Sequence, residues 1–435
     1  MRELVFPEGF MWGAATSAYQ TEGGNANSDW WDWELRPDSP AREPSGTAIE
    51  AYKRYARDAA MLGELGLNTY RFGFEWSRIE PEEGRFDDRE LDHYRRMVAA
   101  VRRAGLTPLV TLYHFTLPKW LATKGGWLSD EAPRLFERFV RRTVEAMGDS
   151  IVWYMTINEP GVVSFGGYLG GLPFPPGTRG VPSWRRSIAM LVEAHRRGRA
   201  AIKELRPRAQ VGMAHSMQQW AANWGGRPAM EYARRLNEDV YLEACVDDDY
   251  VGVNTYTGQT IALPVPLGVA TRAALRFGPL ERRLVPRIAA MVRSQSEPEA
   301  LVKLGGRRTQ MGWEWRPAAV ATTVRRVAAM HPGKPLLVTE HGVATADDAE
   351  RIEYVRDGLA ALHQAIEDGI PLRGYIHWSA FDNFEWAFGY AMKFGLIEVD
   401  RRTQERRARP SASYLGGIAR TNRLTVDADE PAGGL

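Results

Sequence analysis

Residues 108–158 decide the fold, reading PLVTLY at 108–113, EAPRLFERFVRRTVEAM at 131–147 and WYMTIN at 153–158. The outer two pieces are short apolar runs rich in β-branched and aromatic residues, the composition of strands covered on both faces. The middle piece carries apolar residues at helical spacing, so it presents one face to those strands. Two strands joined by a crossover helix lie parallel. The same unit repeats in both directions. Strand-like segments fall at 10–16, 68–73, 108–113, 153–158, 210–215, 250–255, 335–340 and 374–379, with helical patterns between them at 48–65, 88–104, 131–147, 184–205, 228–243, 317–331 and 347–367. Eight such repeats predict an α/β protein with a single closed (β/α)8 TIM barrel, in preference to an open doubly wound sheet. No shift in composition marks a second domain. The barrel is expected over residues 1–421, with residues 422–435 as a poorly ordered tail.

Composition narrows the function. The 435 residues hold 56 Lys and Arg against 54 Asp and Glu, a net charge of +2, so no global field draws in nucleic acid or acidic lipid. Cys245 stands alone, which excludes an internal disulfide and fits a reducing compartment. The start MRELVFPEGFMWGAATS lacks the pattern of a signal peptide, and no run is long enough to span a bilayer. The expectation is a cytoplasmic protein without integral membrane association. Fifteen Trp, sixteen Tyr and fifteen Phe supply faces that suit sugar C–H surfaces as well as cores.

In a barrel of this type the chemistry sits at the C-terminal ends of the strands, so residues far apart in sequence converge there. Several strands end in polar or aromatic residues: Arg71, Tyr113 and His114, Asn158 and Glu159, Asn254 to Tyr256, Glu340 and His341, and Trp378. Glu159 in TINEP and Glu340 in VTEHG each follow an apolar run that carries them to the barrel mouth. A carboxylate ending a buried strand is costly unless paired or used. Two of them fit glycoside cleavage, which needs an acid for the leaving oxygen and a second carboxylate across the sugar.

These segments resemble the family 1 glycoside hydrolases, which include β-glucosidases and β-galactosidases. The resemblance runs from residue 5 to about 420 and rests on FPEGFMWGAATSAYQTEGG (6–24), YRFGFEWSRIEP (70–81), TLYHFTLPKW (111–120), TINEP (156–160), VTEHG (338–342) and GYIHWSAFDNFEWAFGYAMKFGLIEVD (374–400). It implies a retaining exo-β-glycosidase that hydrolyses O-β-glycosides through a covalent glycosyl-enzyme, with β-glucosides preferred and β-galactosides and β-fucosides tolerated. By the same matching Glu159 is the acid/base and Glu340 the nucleophile. Gln20, His114, Asn158, Asn254, Tyr256, Trp378, Glu385, Trp386 and Phe394 bind the sugar, and Arg71 with Tyr256 supports the nucleophile.

The chain departs from the family pattern at Phe115 and Thr116 (usually Trp-Asp), Thr255 (usually Tyr) and His341 (usually Asn). His341 adjoins Glu340, so an influence on the pH profile is one expectation. Glu385 and Trp386 argue against a 6-phospho-β-glycosidase, and the presence of both glutamates argues against a non-catalytic sugar-binding relative. A transglycosylase would use the same two glutamates. The eight His show no HExxH and no G-x-x-x-x-G-K-[ST] loop is present, so neither a metal nor a cofactor is expected. The longest insertion, residues 258–295, is expected to roof the site, and its apolar, Arg-bearing part at 265–292 suggests contact with a bulky or amphiphilic leaving group.

Overall fold

The structure is a computed structural model that describes residues 1–177, 180–276, 279–283, 285, 286 and 306–427. Eight parallel strands close into a barrel: β1 (Met11–Ala15), β2 (Thr69–Gly73), β3 (Thr107–Tyr113), β4 (Trp153–Asn158), β5 (Gln210–Ser216), β6 (Val251–Asn254), β7 (Leu336–His341) and β8 (Leu372–Trp378). Each pairs with its sequence neighbours, and β8 closes on β1 through Gly374↔Met11 to Trp378↔Ala15. Nearly every strand residue is buried, because side chains fill the interior on one face and helices cover the other.

The outer ring consists of α1 (Ala51–Glu64), α2 (Asp88–Arg103), α3 (Ala132–Met147), α4 (Val181–Leu205), α5 (Arg227–Arg234), α6 (Ala319–Met330), α7 (Asp348–Glu367) and α8 (Pro410–Thr421). Local chemistry sets their starts. Asp87 and Asp347 accept backbone N–H bonds at the heads of α2 and α7, and Pro occupies the first turn of α3, α4, α5 and α8. The apolar stripe of α3, from Leu135 and Phe136 through Phe139, Val140 and Val144 to Met147, is buried.

Two expectations change. The helix read at 228–243 is interrupted: α5 ends at Arg234, and a π-helical turn, Arg235–Asp239, leads into short turns reaching Cys245. The tail does not begin at residue 422. Arg423–Val426 pairs antiparallel with Arg2–Val5, burying Leu4 against Leu424. Asn422 locks this corner, donating to the Phe6 carbonyl at 2.7 Å and accepting from the Trp12 indole at 2.9 Å. Residues 428–435 lie outside the described residues. Within the insertion, Gly258–Ile261 pairs parallel with Gln219–Ala222, and Val265–Arg276 is helical. Residues 277, 278, 284 and 287–292 of the amphiphilic segment lie outside the described residues. No helix among the described residues is long and apolar enough to cross a membrane.

Candidate active site

Glu159 and Glu340 both stand at the mouth, one following β4 and the other near the end of β7. Both follow breaks in strand register. Pairing of β4 with β5 shifts between Met155 and Asn158, and pairing of β7 with β6 shifts between Val338 and Glu340. Such irregularities re-aim the side chains beyond them. Glu159 adopts a left-handed backbone at φ 46°, with its N–H on the Ala214 carbonyl at 2.9 Å. Gly342 permits the close approach of β7 and β8, since a Cβ there would sit 1.9 Å from the Trp378 carbonyl oxygen.

One hydrogen-bonded chain links the two glutamates. Arg71 on β2, fully buried, donates through Nη1 to Glu340 Oε1 and, at 3.0 Å, to the Thr339 carbonyl. Its Nη2 donates to Asn158 Oδ1 at 2.7 Å, and its Nε to Thr111 Oγ1 at 3.2 Å. Tyr256 donates its phenol to the second Glu340 oxygen. Asn254 Nδ2 donates to Asn158 Oδ1 at 3.1 Å and to Glu159 Oε1 at 2.8 Å. Thr339 Oγ1, 2.6 Å from Asn254 Oδ1, fixes that amide with its NH2 toward Glu159. Asn254 thus joins Glu159, where the family resemblance implied only a contact to the sugar.

The proton states follow from this layout. Burial, then the adjacent Glu340 charge, pushes the Glu159 carboxyl up to about 8, and the Asn254 bond pulls against them. Glu385 is raised to about 8 by burial and then by Glu340, with the Gln20 hydrogen bond opposing. At neutral pH it can therefore donate as well as accept. Burial, followed by the Glu340 charge, holds the Tyr256 phenol well above its ordinary range, so it remains a donor. Burial, and after it Arg71, keeps His114 neutral.

The expected sugar-binding residues gather around this chain. Asn158 Nδ2 lies 3.3 Å from His114 Nε2, and the His114 ring stacks on Trp378 at 5.9 Å and on Trp386 at 6.2 Å. Phe394 sits edge-on to Tyr256 at 5.9 Å. Gln20 is more heavily engaged than its pattern suggested. Its Oε1 accepts from Ser17 at 2.7 Å, while Nε2 donates to the Phe384 carbonyl at 2.8 Å, to Asn383 at 3.0 Å and to Glu385 at 3.4 Å. It braces the Glu385 segment.

His341 faces away from the mouth, as alternation along a strand requires for the neighbour of an inward Glu340. It stacks on Tyr354, with Nδ1 2.9 Å from the Tyr375 hydroxyl and Nε2 3.1 Å from the Pro317 carbonyl. Burial lowers it to about 3, so it is neutral throughout the working range and cannot titrate beside the nucleophile. Thr255 likewise turns outward, 2.7 Å from Thr323 of α6. Thr116 donates to Glu75, a carboxyl that burial and then Glu22 push up to about 7. Phe115 lies among His114, Phe174 and Trp386. Sequence reasoning passed over Thr111 and Thr339, which hydrogen-bond Arg71 and Asn254 and carry no motif of their own, and Trp313, which packs on Tyr256 and Phe394.

The glycosyl hydrolase family 1 model matches residues 2–271 and 280–424. Over 474 residues the chain is 30% identical to β-glucosidase A of Thermotoga maritima, covering 98% of this chain and all of the relative. It is also 30% identical over 442 residues to a bifunctional β-D-glucosidase/β-D-fucosidase of Bifidobacterium breve, covering 93% and 95% of the two chains. Among solved structures, a β-glycosidase from Pyrococcus horikoshii superimposes with a TM-score of 0.83 at 32% identity, over 98% of this chain and 97% of that one.

Proposed function

This chain belongs to glycosyl hydrolase family 1, and from that premise we propose that Glu340 attacks the anomeric carbon of a β-glycoside while Glu159 protonates the departing oxygen. The single observation that carries the assignment is the asymmetry of donors. A guanidinium and a phenol both address Glu340, the side chain that must act as a carboxylate, while Glu159 receives one amide and is raised to about 8. A nucleophile needs its charge and an orientation, and an acid needs its proton. When Glu340 becomes glycosylated its charge disappears, and with it the part of the Glu159 shift that this charge causes. Glu159 then serves as the base that takes a proton from water.

The sugar rests on Trp378, with Glu385, His114, Asn158 and Trp386 reading its hydroxyls. Glu385 held protonated offers both a donor and an acceptor to adjacent hydroxyls. Glucose is the favoured glycone, with fucose and galactose accepted, in keeping with the names of the relatives. The leaving group is an aryl, alkyl or short oligosaccharide alcohol. Proton NMR of a freshly cleaved aryl β-glucoside tests the mechanism: the β anomer should appear first, and initial release of the α anomer would exclude double displacement.

A further inference from the structure

His195, Cys245 and Asp248 meet on the outer wall of the barrel, away from the chain of residues at the mouth. Their ligand atoms lie within 4.8 Å of one another, and the residues are 0%, 0% and 4% exposed, so solvent does not serve them. His195 comes from α4, whereas Cys245 and Asp248, three positions apart, lie in the segment leading into β6. Thr156 Oγ1 on β4 is 2.8 Å from His195 Nδ1 and 3.4 Å from the Gly212 carbonyl. With its own proton on that carbonyl, Thr156 accepts from Nδ1–H, which leaves Nε2 as a lone pair.

That lone pair lies 3.2 Å from Asp248 Oδ1, and Arg199 Nε lies 3.3 Å from the same oxygen. Neither contact is in line, and His195 Nε2, Asp248 Oδ1 and Asp248 Oδ2 all lack a partner in hydrogen-bonding geometry. With Arg199 Nε, which also lacks a partner in that geometry, four orphaned atoms gather in one buried cluster and require an explanation. Ligands bound at about 2.0–2.2 Å to a tetrahedral zinc stand roughly 3.3 Å from each other, with their lone pairs converging between them and not on one another. The separation and the misalignment both fit that arrangement. Cys245 Sγ itself lies 3.4 Å from the Tyr241 carbonyl and 3.3 Å from His215 Nε2 of β5, contacts that a bound ion would replace.

We infer that His195, Cys245 and Asp248 bind a single zinc-type divalent cation. A donor set of imidazole, thiolate and carboxylate selects zinc, cobalt or nickel over magnesium and calcium. Thiolate and carboxylate together neutralise the ion, and Arg199 becomes the outer partner of the ligating carboxylate. The ion ties α4 to the segment ahead of β6. The sequence hid this site because its ligands are spread over residues 195 to 248 without a recognisable spacing.

The test is to produce the full chain in zinc-supplemented and in cobalt-supplemented medium and to measure metal by mass spectrometry. About one equivalent of zinc per chain is expected, as for a closed structural site. The cobalt protein should show a thiolate-to-cobalt charge-transfer band in the near ultraviolet, absent from Cys245→Ser and weakened or shifted in Asp248→Asn. Should Cys245→Ser fail to fold, metal content and the spectrum of the unmodified chain decide. Metal below about a tenth of an equivalent with no charge-transfer band would overturn the site and leave a buried His195–Asp248–Arg199 ion pair.

Discussion

The ends of β7 and β4 present the same side chain to the same barrel mouth and surround it in opposite ways. At β7, Glu340 takes a guanidinium N–H on one oxygen and a phenol O–H on the other. At β4, Glu159 takes one amide N–H, sits in a left-handed turn and is raised to about 8 by burial and by Glu340 itself. Two identical carboxyl groups are thereby given different neighbours, two donors on one and burial beside a like charge on the other, the kind of asymmetry that the proposed division into nucleophile and acid requires. Asn254, Asn158 and Arg71 join the two ends, so neither glutamate is positioned independently of the other.

Removing either glutamate breaks the comparison, and the β7 end should suffer more. Glu340→Ala is expected to lose roughly 10⁴- to 10⁶-fold in kcat for every substrate, since no other side chain replaces the bond it forms. Steady-state kinetics on a panel of β-glucosides measures this, and activity within tenfold of the parent would refute the role. Glu159→Ala should cost about 10²- to 10⁴-fold on alkyl glucosides and far less on aryl glucosides whose leaving groups depart unprotonated. An equal loss on both classes would contradict the acid assignment.

Smaller changes sharpen the comparison. Glu159 acts while protonated, so kcat/KM should fall as pH rises through about 8. Asn254 favours the charged form of Glu159, so Asn254→Ala should move that alkaline limb upward; a limb that stays or moves down would separate Asn254 from the acid. His341→Asn should leave the profile in place, because His341 faces Tyr375 and Pro317 and is neutral above about 3. Its cost is stability, about 1–3 kcal/mol for buried groups left unsatisfied, read by chemical denaturation. A shifted limb in that variant would place His341 back in the electrostatics of the site.

The barrel was legible in the sequence because strands buried on both faces are uninterrupted apolar runs and their helices repeat a 3.6-residue stripe. The pairing of Arg2–Val5 with Arg423–Val426 was not, since each partner is four residues long and nothing local announces a neighbour at the far end of the chain. The turn at Arg235–Asp239 keeps an apolar spacing close to helical, so its departure from α geometry leaves no mark on the pattern. Site residue types were readable from the strand ends and from the family resemblance. Their partners were not. Register shifts next to Glu159 and Glu340 decide where those side chains point, and they bring Asn254 to Glu159, while Gln20 meets Glu385 through segments that lie beyond the strands. His341 shows the same limit from the other side: adjacent to Glu340 in sequence, it belongs to the opposite face of the strand.

The division of labour between the two strand ends is tested most directly by trapping. A 2-deoxy-2-fluoro-β-glucoside with an activated leaving group slows both steps but allows the first to proceed, so the glycosyl-enzyme accumulates. Peptide mapping by mass spectrometry should find the sugar on the peptide that carries Glu340, and the same treatment of Glu159→Ala should still label Glu340. Label on Glu159 or Glu385, or an active enzyme that accumulates no adduct, would contradict the assignment.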